Sequence, residues 1–267
     1  MTWFDKSKYL ERLGMAPLVD ADFKSLAQLQ RHHVFAIPFE NLDIILGRGI
    51  PVDLPTIYNK VVNNQRGGYC FELNGLFCNA LQNFGFDARP LLARVHLGME
   101  PGGRTHQITL VNVDHQEYIT DVGFGSLSLR SPVPFVTDQV SQQDHLQYRI
   151  VNDPKWRFLM QVKNSELGGA QWLTMYSFDL EHVCQGDIVT GNHYTSTSPD
   201  VHFTRGRIAS LLTPEGRYAL SGDQLTSVTR GDMFKTEQTT IKPSDYINLL
   251  RQKFNLVLDA RYEDFTI

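Results

Sequence analysis

The chain has 267 residues, few cysteines, no marked excess of either charge and no long apolar run. Each shortage excludes something. Three cysteines, an odd number, do not make a disulfide framework. They point to a reducing compartment, with the cytoplasm as the default. No Cys-x-x-Cys and no His-Glu-x-x-His occurs, and the adjacent pair His32-His33 reads as solvated or capping, so no metal is expected. Lys and Arg number 25 against 29 Asp and Glu, a net charge of −4, which gives no footprint for nucleic acid. No run approaches membrane-spanning length, and Met1-Thr2-Trp3-Phe4-Asp5-Lys6 lacks the pattern of a secretory signal. Internal repeats and low-complexity segments are missing too. What remains is ordinary for a globular protein, 42% hydrophobic and 20% charged, and long enough for one large or two to three small domains.

Against that plain background one segment stands out, Arg66-Gly67-Gly68-Tyr69-Cys70-Phe71-Glu72-Leu73-Asn74. Counting from Cys70, apolar side chains fall at Leu73, Leu76, Phe77, Ala80, Leu81 and Phe84, which is helical spacing, and Gly85 is the stop signal. Cys70 then sits in the first turn, at the edge of the apolar face. The partial positive charge of a helix N-terminus favours a thiolate there. Gly67-Gly68 allow backbone amides to approach a substrate closely. Cys78 and Cys184 read as small buried hydrophobes.

Helices fill the first third. Asp20 or Asp22 caps one that carries Phe23, Leu26 and Leu29 and ends before Pro38, and Pro55 opens another with Ile57, Tyr58, Val61 and Val62. After Phe86 the period changes to strands: 88–97, then 106–113 and 117–122 around the turn Asp114-His115-Gln116, then 146–151, 157–162 and 172–178. Several short antiparallel strands predict a barrel or sandwich. If Val113 pairs with Gln116, partner numbers sum to 229 and Asp121 becomes a diagonal same-face neighbour of His106. Its carboxylate then accepts from the imidazole Nδ1–H. A register one residue away puts Asp121 on the other face. Beyond Asp187 the signal is mixed: a polar stretch 192–197 leads to Ser198-Pro199, 203–212 is strand-like, and 245–254 is an amphipathic helix. Helices and antiparallel strands in blocks indicate an α+β fold.

The Cys70 segment resembles the active-site motif of the arylamine N-acetyltransferases. Three further segments agree: Pro38-Phe39-Glu40-Asn41-Leu42, Thr105-His106 opening an apolar strand, and Asp121-Val122-Gly123-Phe124-Gly125. The resemblance implies an N-terminal helical bundle (1–85), a central antiparallel β-barrel (86–186) and a C-terminal α/β lid (187–267). It also implies a Cys70–His106–Asp121 catalytic triad, arranged as in cysteine proteases. The reaction implied is acetyl transfer from acetyl-CoA to an aromatic amine, hydrazine or N-hydroxyarylamine. By the same resemblance Gly102, Gly103 and Tyr194 contact CoA, while Phe39, Thr105, Phe124 and Phe203 line the acceptor site. Arg12, Glu40 and Arg66 match charged positions and read as an ion-pair network under the active-site helix. Asp200 departs from the family, which often has a small hydroxyl residue there.

The same triad serves amide synthases and acyl hydrolases, which stand as alternatives. A binding module has no use for all three residues. A homodimer is carried as the oligomeric option, with no nucleic acid and no membrane among the partners.

Overall fold

Five α-helices precede the first long strand among the described residues, and three begin at an aspartate cap. The structure is a computed structural model, which describes residues 3–18, 20–97, 100–164, 171–230 and 234–265. Helix α1 (Lys6–Leu13) is capped by Asp5, whose Oδ1 accepts from the amides of Ser7 and Lys8. Helix α2 (Phe23–Ala36) is capped by Asp22 through Ser25 N–H, and α4 (Leu54–Tyr58) by Asp53 through Thr56 N–H. Between them lie a two-residue strand β1 (Phe39–Glu40) and a single turn α3 (Leu42–Ile45). A π turn, Asn59–Asn63, continues α4. Helix α5 (Cys70–Asn83) buries Leu73, Leu76, Phe77, Ala80 and Leu81 as its spacing predicts, and Gly85 at φ +95° ends it.

Strands β2 (Asp87–Val95), β3 (His106–Val113), β4 (Gln116–Thr120), β5 (Val133–Pro134), β6 (Ser141–Gln143), β7 (Leu146–Asp153), β8 (Arg157–Asn164) and β9 (Leu173–Phe178) form one antiparallel sheet in the order β5-β4-β3-β2-β9-β8-β7-β6. It curls into a nearly closed barrel. The gap between its edges is stitched by Gln143, which accepts from the amides of Arg130 and Ser131 and donates to the Ser131 carbonyl. Strand β2 is buried on both faces: Leu91 and Ala93 point into the barrel, Ala88 and Leu92 against the helices. The β3–β4 pairing runs from Val113↔Gln116 to Thr109↔Thr120, the register of sum 229.

The last third departs from the sequence expectation in two places. The stretch 192–197 is not an irregular lead but the end of helix α6 (Gln185–Thr197), which buries Gly191, Asn192 and Thr195. A helix that buries small and polar residues has no apolar stripe to read. The strand expected over 203–212 begins only at Ile208, because Asn41 Nδ2 donates to the carbonyls of Phe203 and Gly206 and holds that segment as a loop with a 3₁₀ turn. Strands β10 (Ile208–Thr213), β11 (Gly216–Ser221), β12 (Gln224–Arg230) and β13 (Phe234–Thr240) form a second antiparallel sheet with β1, which lies at one edge while β13 lies at the other. Helix α7 (Pro243–Phe254) covers it with Tyr246, Leu250 and Phe254. The buried Arg130 guanidinium ties barrel to sheet, donating to the carbonyls of Thr213 and Gly216.

Candidate active site

Cys70 is the first residue of α5, 3% exposed. Its position is set by β1, which lies alongside the glycine pair: Glu40 N–H donates to Gly68 O at 2.9 Å and Gly68 N–H to Pro38 O at 3.3 Å. The α5 N-terminus is completed by Glu72, whose Oε2 accepts from Tyr69 N–H at 3.0 Å. The Cys70 thiol donates to the Thr105 carbonyl at 3.7 Å, and the Cys70 sulfur lies close enough to the His106 imidazole to favour its protonated form.

His106 opens β3, 3% exposed, and its Nε2 lies 2.7 Å from Asp121 Oδ2. This corrects the expected nitrogen. Nε2, not Nδ1, faces the carboxylate, which leaves Nδ1 for the sulfur. The reason is direction: Asp121 lies at the end of the neighbouring strand, while Cys70 comes from the helix packed on the sheet. Asp121 is fully buried, and its Oδ1 accepts from Asn74 Nδ2 and Gly123 N–H, each at 2.9 Å. Asn74 also donates to Gln107 O at 2.6 Å and accepts from Val122 N–H at 2.9 Å. It locks strand, carboxylate and helix together. Asn74 stands four residues after Cys70, one helical turn along the same face, and that spacing was the available signal for a role the sequence reading did not assign. Burial acts to lower the His106 pKa. The Asp121 carboxylate, its hydrogen bond and the Cys70 sulfur outweigh that and raise it to about 10. The rings of Phe124 and Tyr176 flank the imidazole at 5.0 and 5.3 Å between centroids.

Beneath the helix start lies a buried charge network. Arg66 Nη2 contacts Glu40 at 2.7 Å and Asp43 at 3.0 Å, and Lys60 Nζ contacts Glu72 at 2.7 Å and Asp43 at 2.8 Å. Glu40 and Arg66 are thus ion-paired. Arg12 forms no ion pair among the described residues; its guanidinium donates to the carbonyls of Val61, Ala36, Arg66 and Asn255. Cys78 is buried as expected, and burial pushes its thiol up to about 12. Cys184, by contrast, is exposed just before α6. His33 is buried rather than solvated, bonded to the Tyr9 hydroxyl, and burial pushes its pKa down to about 3, while His32 bonds the Leu13 carbonyl.

Cys70 and His106 open onto a cavity of about 850 Å³ between barrel and second sheet. Phe39, Gly102, Thr105, Phe124 and Phe203 line it. Gly103 and Tyr194 are not part of that lining, and Tyr194 stands on α6 with 49% exposure. Asp200 is at the wall, 3.6 Å from Arg205, so its charge is partnered. Gly191 lets α6 close in, since a Cβ there would stand 2.7 Å from the Phe71 ring. The arrangement is that of an activated nucleophile: a thiol, an imidazole in contact with it and a carboxylate that orients the imidazole.

Known proteins share this architecture. Residues 22–262 match the family described as N-acetyltransferase. The arylamine N-acetyltransferase / N-hydroxyarylamine O-acetyltransferase of Salmonella typhimurium is 36% identical over 262 residues, 97% of this chain and 91% of that protein. The arylamine N-acetyltransferase of Escherichia coli is 32% identical, with the same coverage. Among solved structures, the Salmonella typhimurium enzyme superposes with a TM-score of 0.88 at 34% identity, over 96% of this chain and 92% of that one. The Mycobacterium marinum enzyme in complex with CoA gives 0.85 at 28% identity, over 94% and 93%. Family match, near-complete coverage and superposition agree: the chain belongs to the arylamine N-acetyltransferase family.

Proposed function

We propose that this chain transfers an acetyl group from acetyl-CoA to arylamines, arylhydrazines or N-hydroxyarylamines through an acetyl-cysteine at Cys70. The observation that carries the reading is Cys70 beside His106 at the wall of an aromatic-lined cavity, with the imidazole hydrogen-bonded to Asp121.

In the first half-reaction the Cys70 sulfur attacks the acetyl carbon of the thioester. The carbon–sulfur bond to CoA breaks, and the departing CoA thiolate takes the proton of the His106 imidazolium. In the second, the amine nitrogen attacks the acetyl-cysteine, neutral His106 accepts the proton that nitrogen loses, and the Cys70 thiolate leaves. Asp121 stabilises the imidazolium throughout. The Cys70 backbone N–H, in the first turn with no intrahelical acceptor, donates to the developing oxyanion. Phe39, Phe124 and Phe203 keep water from the acetyl-cysteine, which favours transfer over hydrolysis. Gly102, at the cavity rim, is the point where the CoA arm passes over backbone, with Gly103 and Tyr194 further along its path.

The test is intact-protein mass spectrometry after acetyl-CoA, followed by free-CoA release with and without an amine. One acetyl adduct, lost in Cys70→Ala, and CoA release that depends on the amine are expected. An adduct on Cys78 or Cys184 rejects the nucleophile, and amine-independent CoA release identifies an acyl hydrolase instead.

A further inference from the structure

One wall of the cavity is a single row of side chains. The strand register sets Phe39, Ser210, Ala219, Thr226 and Gln238 side by side across β1, β10, β11, β12 and β13, and all five line the cavity. The row begins at the reactive centre, because Phe39 is bridged to Gly68, two residues before Cys70. At roughly 4.8 Å per strand, Thr226 lies about 10 Å and Gln238 about 14 Å from Ser210 along the row. Exposure rises in the same direction, from buried Ser210 through half-buried Thr226 to exposed Gln238.

The row changes character as it leaves the centre. Aromatic and small groups come first, then uncharged donors and acceptors. No hydrogen bond among the described residues occupies the side chains of Ser210, Thr226 or Gln238. Charge is scarce in this wall. Outside His106 and His202, the ionisable lining side chains with a charge at neutral pH are Glu100, Asp200 and Arg205, and Arg205 lies 3.6 Å from Asp200. Glu100 lies 3.7 Å from Lys155, so a carboxylate placed along the row meets neutral dipoles and no unpaired cation of the lining. Basic side chains gather at the other rim. Arg94 donates to the Gly102 carbonyl at 2.8 Å, and Lys155 and Arg157 share with it a hollow beside Trp156. That rim suits the anionic end of CoA and leaves the sheet for the second substrate.

We propose that the Ser210–Thr226–Gln238 row is a specificity-determining strip for the acceptor. It reads an uncharged donor–acceptor group, such as a carboxamide, at the far end of an elongated arylamine, and it disfavours a carboxylate at the same place. The inference rests on the acetyl-transfer reading above and adds which acceptors are preferred.

Three amines of matched length test it: biphenyl-4-amine, its 4′-carboxamide and its 4′-carboxylate. The readout is kcat/KM for each with the full chain and with Thr226→Val, Gln238→Leu and Gln238→Lys. The carboxamide should exceed the carboxylate by about three- to tenfold, since the strip is partly solvated and each hydrogen bond there is worth that of an ordinary neutral one. Thr226→Val, which keeps the shape, and Gln238→Leu should each cut the carboxamide's advantage over the unsubstituted amine by about three- to tenfold, the worth of one neutral hydrogen bond. Gln238→Lys should move the ratio toward the carboxylate. Equal efficiency for carboxamide and carboxylate, or ratios unmoved in all three variants, overturns the strip while acetyl transfer stands. Failure to acetylate any of the three amines overturns the transfer reading and the strip with it.

Discussion

Gly123 shows how little room the site leaves. A Cβ there would stand 2.8 Å from the Cys70 Cα and 2.7 Å from Asn74 Nδ2. Gly123→Ala must therefore move the nucleophile or the amide that holds Asp121. Misplacement of about 1 Å costs on the order of 10²-fold, so turnover should fall by that much with the circular-dichroism spectrum unchanged; wild-type turnover would show that the backbone yields. Asp121→Asn acts on charge instead. The His106 pKa, about 10, lies above its ordinary value, so its contribution to stability is complete below about pH 6.5 and is lost as pH climbs through about 10. Urea unfolding at about pH 6, 8 and 10 should show stability declining across that window, with a shallower decline in Asp121→Asn. Parallel profiles would mean that the carboxylate does not hold the imidazole charged. At this scale the sequence was most legible. The structure brings Cys70, His106 and Asp121 together, because each lies in a contiguous motif or a countable hairpin register. The imidazole nitrogen that meets the carboxylate was not legible, since it depends on how α5 sits on the sheet.

Elements differ in legibility for a physical reason. Helix α5 and the β3–β4 hairpin carry apolar periods that match their geometry, so sequence alone sets them out. Helix α6 buries Gly191, Asn192 and Thr195, and β13 is exposed along nearly its whole length, so neither shows a period. The charge network was half legible: Glu40 and Arg66 came from motifs, but Lys60 pairs with three carboxylates from two separate segments and has no local signature. That makes Lys60 the sharper test. Lys60→Met strips Glu72 of its ion pair among the described residues and leaves Glu40 and Asp43 to Arg66 and Arg48, and removing one partner from a buried set costs about 3–5 kcal/mol. The melting temperature should drop by on the order of 10 °C. A drop of only a degree or two would mean that solvent or a shifted Arg66 compensates.

Over the whole molecule, six residues from Pro38 to Asp43 connect every part of the site. Phe39 walls the cavity, Glu40 pairs with Arg66, Leu42 enters the core under α7 and Asp43 joins the network. Asn41 holds the 203–208 loop with Nδ2 on the carbonyls of Phe203 and Gly206 and Oδ1 on Ile208 N–H, each at 2.7 Å. Asn41→Ala strips all three, so hydrogen exchange over 203–210 should quicken and acceptor kcat/KM should fall, with acetylation of Cys70 retained. Unchanged exchange in that segment would assign the loop's order to Phe203 packing instead. The pairing of β1 with β10 has a consequence for the order in which the protein becomes competent. Phe39 leaves the ribosome early, yet its neighbours Ser210, Thr226 and Gln238 belong to the last quarter of the chain. The nucleophile, its histidine and its carboxylate are all synthesised before the wall that encloses the acceptor. A nascent chain therefore carries a reactive thiol long before it carries an acceptor site, and the contact that joins the two spans some of the longest sequence separation in the fold. In order of synthesis, the wall around the acceptor is the last part of the site to be supplied.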